Sequence, residues 1–234
     1  MSIIAAQLRR AGLIVIIRAP SPANLLEAAR ALQAAGVAAV EITLNTPGAL
    51  SAIAQIREAI PTMLCGAGTI LAPDDALAAM QAGAQFIITP TLQLDTIALC
   101  KSHSLPIAAG CASPTEGIFA HRAGADFIKI FPAARFNLPH IAAMLEEIPQ
   151  WNLVPTGGVT PENLRHFFEA GCPAVAVGSN LVSKQILTTQ DWPALTTAAH
   201  RYAQAIIDAN VHCLSDQPNK SQRTTDNQQP TTNQ

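Results

Sequence analysis

The chain has 234 residues, of which 13% are charged, and a formal net charge of −2. That length suits one α/β barrel or two small domains. The charge balance speaks against a nucleic-acid partner or an anionic membrane surface, so a small anionic ligand would have to be held locally, by backbone N–H groups and a few arginines. Alanine is abundant and aromatics are few, which favours tightly packed helices against a buried sheet. The five cysteines, Cys65, Cys100, Cys111, Cys172 and Cys213, are odd in number and lack CxxC spacing. Neither a disulfide framework nor a zinc site follows from them. They read as small core residues in a reducing compartment, with Cys111 a candidate to touch a site because it follows a strand end. The apolar run Leu13 to Ile17 stops at Arg18, far too early for a membrane span. Arg9-Arg10 is not followed by a signal-like apolar region, so a cytoplasmic protein is expected.

Ser2 to Arg10 reads as a short amphipathic helix. Strand and helix patterns then alternate. The first strand is Leu13 to Arg18, with Ser21-Pro22 expected as N-cap and N1 of the next helix. The second strand is Val37 to Leu44, and a helix follows from about Pro47 to Ile60. The third strand is Thr62 to Cys65, running into Gly66-Ala67-Gly68-Thr69; Pro73-Asp74-Asp75 opens another helix with acids in its first turn. Strands four to eight are Gln85 to Thr89, Pro106 to Ala109, Asp126 to Ile130, Leu153 to Thr156 and Ala174 to Val177. All are short, apolar and weakly alternating, as buried parallel strands are. The last helix spans roughly Trp192 to Ala209.

A repeat supports this count. Ala35-Gly36-Val37, Ala82-Gly83-Ala84, Ala123-Gly124-Ala125 and Ala170-Gly171-Cys172 each stand where a helix hands over to a strand, and glycine suits the left-handed position that closes a helix. Eight βα units in about 200 residues fit a (β/α)8 TIM barrel over residues 1–213. Residues 214–234 are polar, rich in Gln, Asn and Thr, and read as a disordered tail.

Catalytic groups of such a barrel sit at the carboxyl ends of its strands. The chain has four lysines, Lys101, Lys129, Lys184 and Lys220, and only Lys129 lies in a strand-like run, Phe127-Ile128-Lys129-Ile130-Phe131-Pro132. Desolvating an ammonium is costly, and a lysine driven neutral is a nucleophile for a ketone. The same residue also fits a lysine that snorkels into solvent or pairs with a carboxylate. Glu41, inside Val40-Glu41-Ile42, is the matching buried acid. The two suit an acid/base and nucleophile pair or a structural ion pair. Gly157-Gly158 after the seventh strand and Gly178-Ser179 after the eighth suit a phosphate site of backbone donors and a hydroxyl. Arg18, Thr69, Pro90 and Thr156 complete the polar or turn residues at strand ends. His103, His121, His140, His166, His200 and His212 show no metal-ligand spacing, and no metal or cofactor is expected.

The ordered set Val40-Glu41-Ile42-Thr43-Leu44, Gly66-Ala67-Gly68-Thr69, Gly83-Ala84-Gln85-Phe86, Phe127 to Pro132, Pro155-Thr156-Gly157-Gly158-Val159 and Gly178-Ser179 resembles the class I aldolases of 2-keto-3-deoxy-6-phosphogluconate, 2-keto-3-deoxy-6-phosphogalactonate and 4-hydroxy-2-oxoglutarate. The resemblance runs from about Leu13 to Leu181. It implies that Lys129 forms a Schiff base and Glu41 shuttles protons. It also implies that Thr69 and Arg18 hold the pyruvate carboxylate and that Gly157, Gly158, Gly178 and Ser179 bind phosphate. It further implies a homotrimer acting on a phosphorylated 2-keto-3-deoxy sugar acid to give pyruvate. On the epimer the residues divide. Asn45, in Leu44-Asn45-Thr46-Pro47, and Gly110-Cys111-Ala112 look galactonate-like, whereas Thr156 matches the gluconate-type pattern. Thr89-Pro90-Thr91 departs from the more usual Ser-Pro-Gly. Two other readings stand beside the aldolase: a phosphate-binding barrel isomerase or synthase with Lys129 as a charge partner, and a non-catalytic barrel that uses its tail as an arm.

Overall fold

The computed structural model describes residues 2–215. Each alternation expected from the sequence becomes an element. They are α1 (Ile3–Ala11), β1 (Leu13–Ile17), α2 (Leu25–Ala34), β2 (Ala39–Thr43), α3 (Ala49–Ala59), β3 (Leu64–Gly68), α4 (Pro73–Gln81), β4 (Ile87–Ile88) and α5 (Leu94–Ser102). The second half adds β5 (Ile107–Cys111), α6 (Pro114–Arg122), β6 (Phe127–Ile130), a 3₁₀ turn at Ala133–Arg135, α7 (Leu138–Glu147), β7 (Leu153–Pro155), α8 (Leu164–Glu169), β8 (Val175–Val177), α9 (Lys184–Thr189) and α10 (Trp192–Ser215). All the strand pairs are parallel, in the order β7-β6-β5-β4-β3-β2-β1-β8. A single bridge between Thr156 and Ala176 joins the two ends. This is the TIM barrel that the repeat foretells, and Gly36, Gly83, Gly124 and Gly171 all have positive φ at their helix-to-strand joints.

Two apolar layers follow from the period of two in the strands. One face of each strand packs against the helices, including Val15, Val40, Ile42, Cys65, Ile128 and Ile130. The other face fills the barrel with Ile14, Ala39, Leu64, Phe86, Ile88, Ala108, Phe127, Val154 and Ala176. Ala5 and Leu8 of α1 belong to this inner set, so the N-terminal helix plugs one end of the barrel. Ser2 caps that helix through Ala5 N–H at 3.1 Å, and Gly12 closes it in the left-handed region. Arg9 donates to the Asn152 side-chain oxygen, and Asn152 donates to the Asp126 carbonyl at 2.9 Å. The plug is thereby tied to β6 and β7.

Several expected boundaries shift. Ser21 is not a helix cap: its hydroxyl accepts from Ala23 N–H, three residues too early, and α2 begins after Asn24, which is left-handed. A serine that hydrogen-bonds inside its own turn is no longer available to a helix. The strand expected at Thr62 to Cys65 starts at Leu64 and takes in Gly66 to Gly68, because the barrel interior needs positions without side chains there. A Cβ on Gly66 would lie 2.4 Å from the Phe86 ring. β4 keeps only Ile87–Ile88 of the expected five residues. The last helix runs on to Ser215, so Leu214 and Ser215 leave the expected tail. The rest of that tail, 216–234, lies outside the described residues. Cys111 is in the outer layer between strands and helices, away from the lumen. Burial, helped by the nearby Glu116 carboxylate, pushes its thiol up to about 12, which leaves it an inert core thiol.

The Gly66–Phe86 contact is testable by urea denaturation. Gly66→Ala should lose about 1–3 kcal/mol, the usual cost of overpacking. The double variant Gly66→Ala with Phe86→Leu should lose less than the sum of the single variants. Additive losses would show that the ring does not set the constraint.

Candidate active site

Glu41 on β2 and Lys129 on β6 fall in phase with the inner residues Ala39 and Phe127, so both enter the barrel. Glu41 is 1% exposed and Lys129 is 7% exposed. Glu41 pairs in register with Ile16 on one side and Gly66 on the other; Lys129 pairs with Gly110 and Val154. The carboxyl group fits because Gly68, two positions along β3, has no side chain. A Cβ there would stand 1.6 Å from one Glu41 carboxyl oxygen. Its other oxygen, Oε2, is buried with no hydrogen-bond partner among the described residues. Burial raises the Glu41 pKa above the ordinary carboxylate value, and the positive charges of Lys129 and Arg18 oppose that rise without reversing it.

Lys129 is not part of a tight ion pair. Among the described residues, no carboxylate lies within 4.0 Å of its ammonium. Its Nζ instead stands 5.4 Å from the centroid of the Phe131 ring, within cation–π range. Phe131 follows two residues later on the same side of the chain and is 46% exposed. The other flank of Lys129 is set by Gly110. A Cβ at Gly110 would meet the Pro90 carbonyl carbon at 2.2 Å, so the Thr89-Pro90-Thr91 segment crosses directly over β5. The Thr89 hydroxyl holds that crossing, donating to the Thr91 carbonyl at 2.7 Å and accepting from Gly110 N–H at 3.1 Å.

Arg18 and Thr69 meet at the mouth, with Arg18 Nη2 donating to Thr69 Oγ1 at 3.5 Å. Thr69 has φ +57°, a left-handed conformation that a β-branched residue rarely adopts and that clusters at functional sites. Beside this pair opens a cavity of about 320 Å³ whose wall includes Arg18, Phe131, Thr156, Gly157, Gly158, Gly178 and Ser179. The cavity thus unites Arg18 with every residue expected from the seventh and eighth strand ends. Glu41 and Lys129 do not line this cavity, but Phe131, which does, also carries its ring beside the Lys129 ammonium.

The glycines of this wall have different causes. Gly157 and Gly158 have φ of +84° and +85°, and a Cβ on Gly158 would stand 2.4 Å from that of Ala134. The turn after β6 is fastened to this loop by Ala133 N–H to the Thr156 carbonyl at 2.7 Å and Ala134 N–H to the Gly157 carbonyl at 3.0 Å. Gly178 is under no such demand. Its φ is ordinary, and a Cβ would meet only Ile16, at 3.6 Å. Glycine there leaves open space and a bare N–H at the cavity wall, which is what an incoming anion needs. The Thr156 side chain is buried at this wall and its hydroxyl donates to the Val154 carbonyl at 3.1 Å. Asn45 is exposed and lines a separate shallow groove with Asp75, outside the cavity.

The sequence shows Gly66, Gly68 and Gly110 as members of motifs but not what they do, because clearance for Phe86, Glu41 and Pro90 depends on residues far along the chain. It also missed Phe131 as a wall, although its spacing of two from Lys129 carries that signal. Asn180 and Lys184 in the cavity wall were missed as well.

The comparisons with known proteins agree with this geometry. The family model for KDPG and KHG aldolase matches residues 4–198. The chain is 38% identical over 171 residues to a 2-dehydro-3-deoxy-6-phosphogalactonate aldolase of Escherichia coli K12, covering 72% of this chain and 83% of that one. It is 33% identical over 185 residues to a 2-dehydro-3-deoxy-phosphogluconate aldolase of Pseudomonas aeruginosa, covering 79% and 84%. A solved native KDPGal structure superposes with a TM-score of 0.80 at 33% identity, covering 85% of this chain and 96% of that one. A barrel of this topology, a buried acid and lysine in one lumen, and these matches lead to one conclusion: the chain belongs to the KDPG and KHG aldolase family and is a class I aldolase.

Proposed function

We propose that this aldolase works through a Schiff base on Lys129 and cleaves 2-keto-3-deoxy-6-phosphogluconate to pyruvate and glyceraldehyde 3-phosphate. The observation that carries the reading is the pair of buried groups in one lumen. Glu41 has an oxygen without a partner, and Lys129 has no carboxylate against it. A structural ion pair would satisfy both groups; here both remain free for a substrate.

In this scheme Lys129 gives up its ammonium proton to water, the amine adds to the C2 ketone, and loss of water gives the imine. Once protonated, the imine is an electron sink. The C4 hydroxyl gives up its proton, by way of water to Glu41, the C3–C4 bond breaks, and its electrons move into the enamine. The aldehyde leaves. A proton returned to C3 gives the pyruvyl imine, which water hydrolyses. A carboxyl group with a raised pKa suits both directions of that proton traffic. Arg18 and Thr69 orient the substrate carboxylate. Gly157, Gly158, Gly178 and Ser179 hold the phosphate through backbone N–H groups and one hydroxyl. Pro90, lying over Gly110, walls the lysine's flank.

For the epimer, Thr156 favours the gluconate form: its side chain stands at the cavity wall, whereas Asn45 lies outside the cavity. A second reading, the galactonate epimer, is favoured by the 38% identical relative and by the galactonate-like run at Asn45. A homotrimer in the cytoplasm completes the proposal. Cys65, Cys100, Cys111 and Cys172 are free buried thiols, in keeping with a reducing compartment, and no helix among the described residues is long and apolar enough to cross a membrane.

Three outcomes test this reading. Borohydride reduction with pyruvate should leave a pyruvyl adduct on Lys129 by peptide mass spectrometry, and Lys129→Ala should retain the fold and lose cleavage. A folded protein with no adduct would move the assignment to a phosphate-binding isomerase or synthase. The raised pKa of Glu41 means that the folded protein holds a proton the unfolded chain releases, so its stability contribution falls as pH rises from the ordinary carboxylate range through the raised value. Glu41→Gln should therefore gain stability relative to the parent as pH rises in denaturation titrations, while losing cleavage. A stability difference independent of pH would mean that the carboxyl group titrates normally. Assayed on both epimers with a pyruvate-coupled readout, Thr156→Val should move the kcat/KM ratio toward galactonate by about tenfold, the worth of one lost hydrogen bond. An unmoved ratio would remove Thr156 from the discrimination.

A further inference from the structure

We propose that Lys184 is the cation that neutralises the substrate phosphate, and that it sets the preference of this enzyme for phosphorylated over unphosphorylated substrates. The inference rests on the aldolase reading above and extends it to a residue outside the glycine loops.

A phosphate monoester carries a charge of about −1.5 to −2 at neutral pH. The donors of Gly157, Gly158, Gly178 and Ser179 are neutral. Among the described residues two cationic side chains line the cavity, Arg18 and Lys184, and no aspartate or glutamate does. Arg18 is engaged on the β3 side, where it donates to Thr69. The Lys184 ammonium has no ion-pair partner within 4.0 Å among the described residues. Lys184 therefore shares the cavity wall with the glycines and has its charge uncommitted among the described residues.

The placement of Lys184 also breaks a local rule. It is the first residue of α9, whose first turn contains no acid. A cation there opposes the helix dipole. Local costs of this kind gather at functional sites, and here the neighbouring feature is the cavity. The stem of the lysine starts from a fixed point. Leu181 and Val182 are buried, and both their N–H groups donate to the Gly178 carbonyl at 2.9 Å. Ser183 caps the helix by accepting from Ile186 N–H at 3.2 Å. Asn180 donates to the Val159 carbonyl at 3.1 Å and so ties the β8 loop to the β7 loop. A flexible four-carbon stem on that anchor carries a point charge suited to phosphate.

The test compares Lys184→Gln and Lys184→Arg with the parent. The readouts are kcat/KM for the phosphorylated keto-deoxy acid and for its unphosphorylated counterpart, and competitive inhibition by inorganic phosphate. In Lys184→Gln the phosphorylated-to-unphosphorylated ratio should fall about tenfold, and phosphate inhibition should weaken by a similar factor, as loss of one charge-assisted hydrogen bond requires. Lys184→Arg should restore most of both. An unchanged ratio with unchanged phosphate inhibition in Lys184→Gln overturns the proposal, as does a parent enzyme indifferent to phosphorylation. Borohydride trapping of pyruvate on the parent separates the two levels. An adduct on Lys129 with an unmoved ratio removes Lys184 alone, whereas absence of the adduct removes the aldolase mechanism beneath it.

Discussion

A carboxyl group is buried inside this barrel with one oxygen that accepts no hydrogen bond from the described residues. Holding Glu41 there is costly, because a buried polar atom without a partner loses its hydration and gains no replacement. The surrounding structure tolerates it by removing bulk. Gly68 gives up its side chain so that the carboxyl oxygen has a place to be. Lys129 and Arg18 supply positive charge without closing onto it. The result is a group whose proton is held more tightly than in water, facing a lumen that also contains an amine.

The rest of the barrel is arranged around that constraint. The inner layer around and below Glu41 and Lys129 is apolar, from Ile88 and Phe86 to the Leu8 plug. The polar groups gather at the loop end, where Arg18, Thr69 and the glycine turns are. Phe131 stands between the two zones, its ring over the lysine on one side and bordering the cavity on the other. Clamps between neighbouring loops keep this mouth in register: Ala133 to Thr156, Ala134 to Gly157, and Asn180 to Val159. On the proposed reading, a cleavage at Lys129 can thus use binding energy from a phosphate held by the glycine loops.

The substrate question has the same physical form. Epimers at one carbon differ in where a single hydroxyl points, and a site distinguishes them by pairing that hydroxyl or leaving it unpaired. Thr156 brings a hydroxyl to the cavity wall, already bonded to the Val154 carbonyl. Asn45 lies in another groove. Resemblance to relatives of both kinds is therefore compatible with one local determinant.

By itself the sequence determined the alternation of eight short apolar strands with helices, the left-handed glycine joints, and the two buried ionisable residues, because these features depend on periodicity and on the chemistry of single residues. It placed Lys129 and Glu41 within apolar strands and Thr156 and the two glycine runs at strand ends, as the barrel has them. What it left undecided needed distance in three dimensions. The emptiness of Gly68 is explained by a carboxylate 27 positions earlier, and that of Gly110 by a proline 20 positions earlier. The free state of Lys129, the outward face of Cys111 and the company of Arg18 with Thr69 are likewise products of closure. Only tertiary structure decides such matters, because a side chain's partners are chosen by where the strands meet around the barrel.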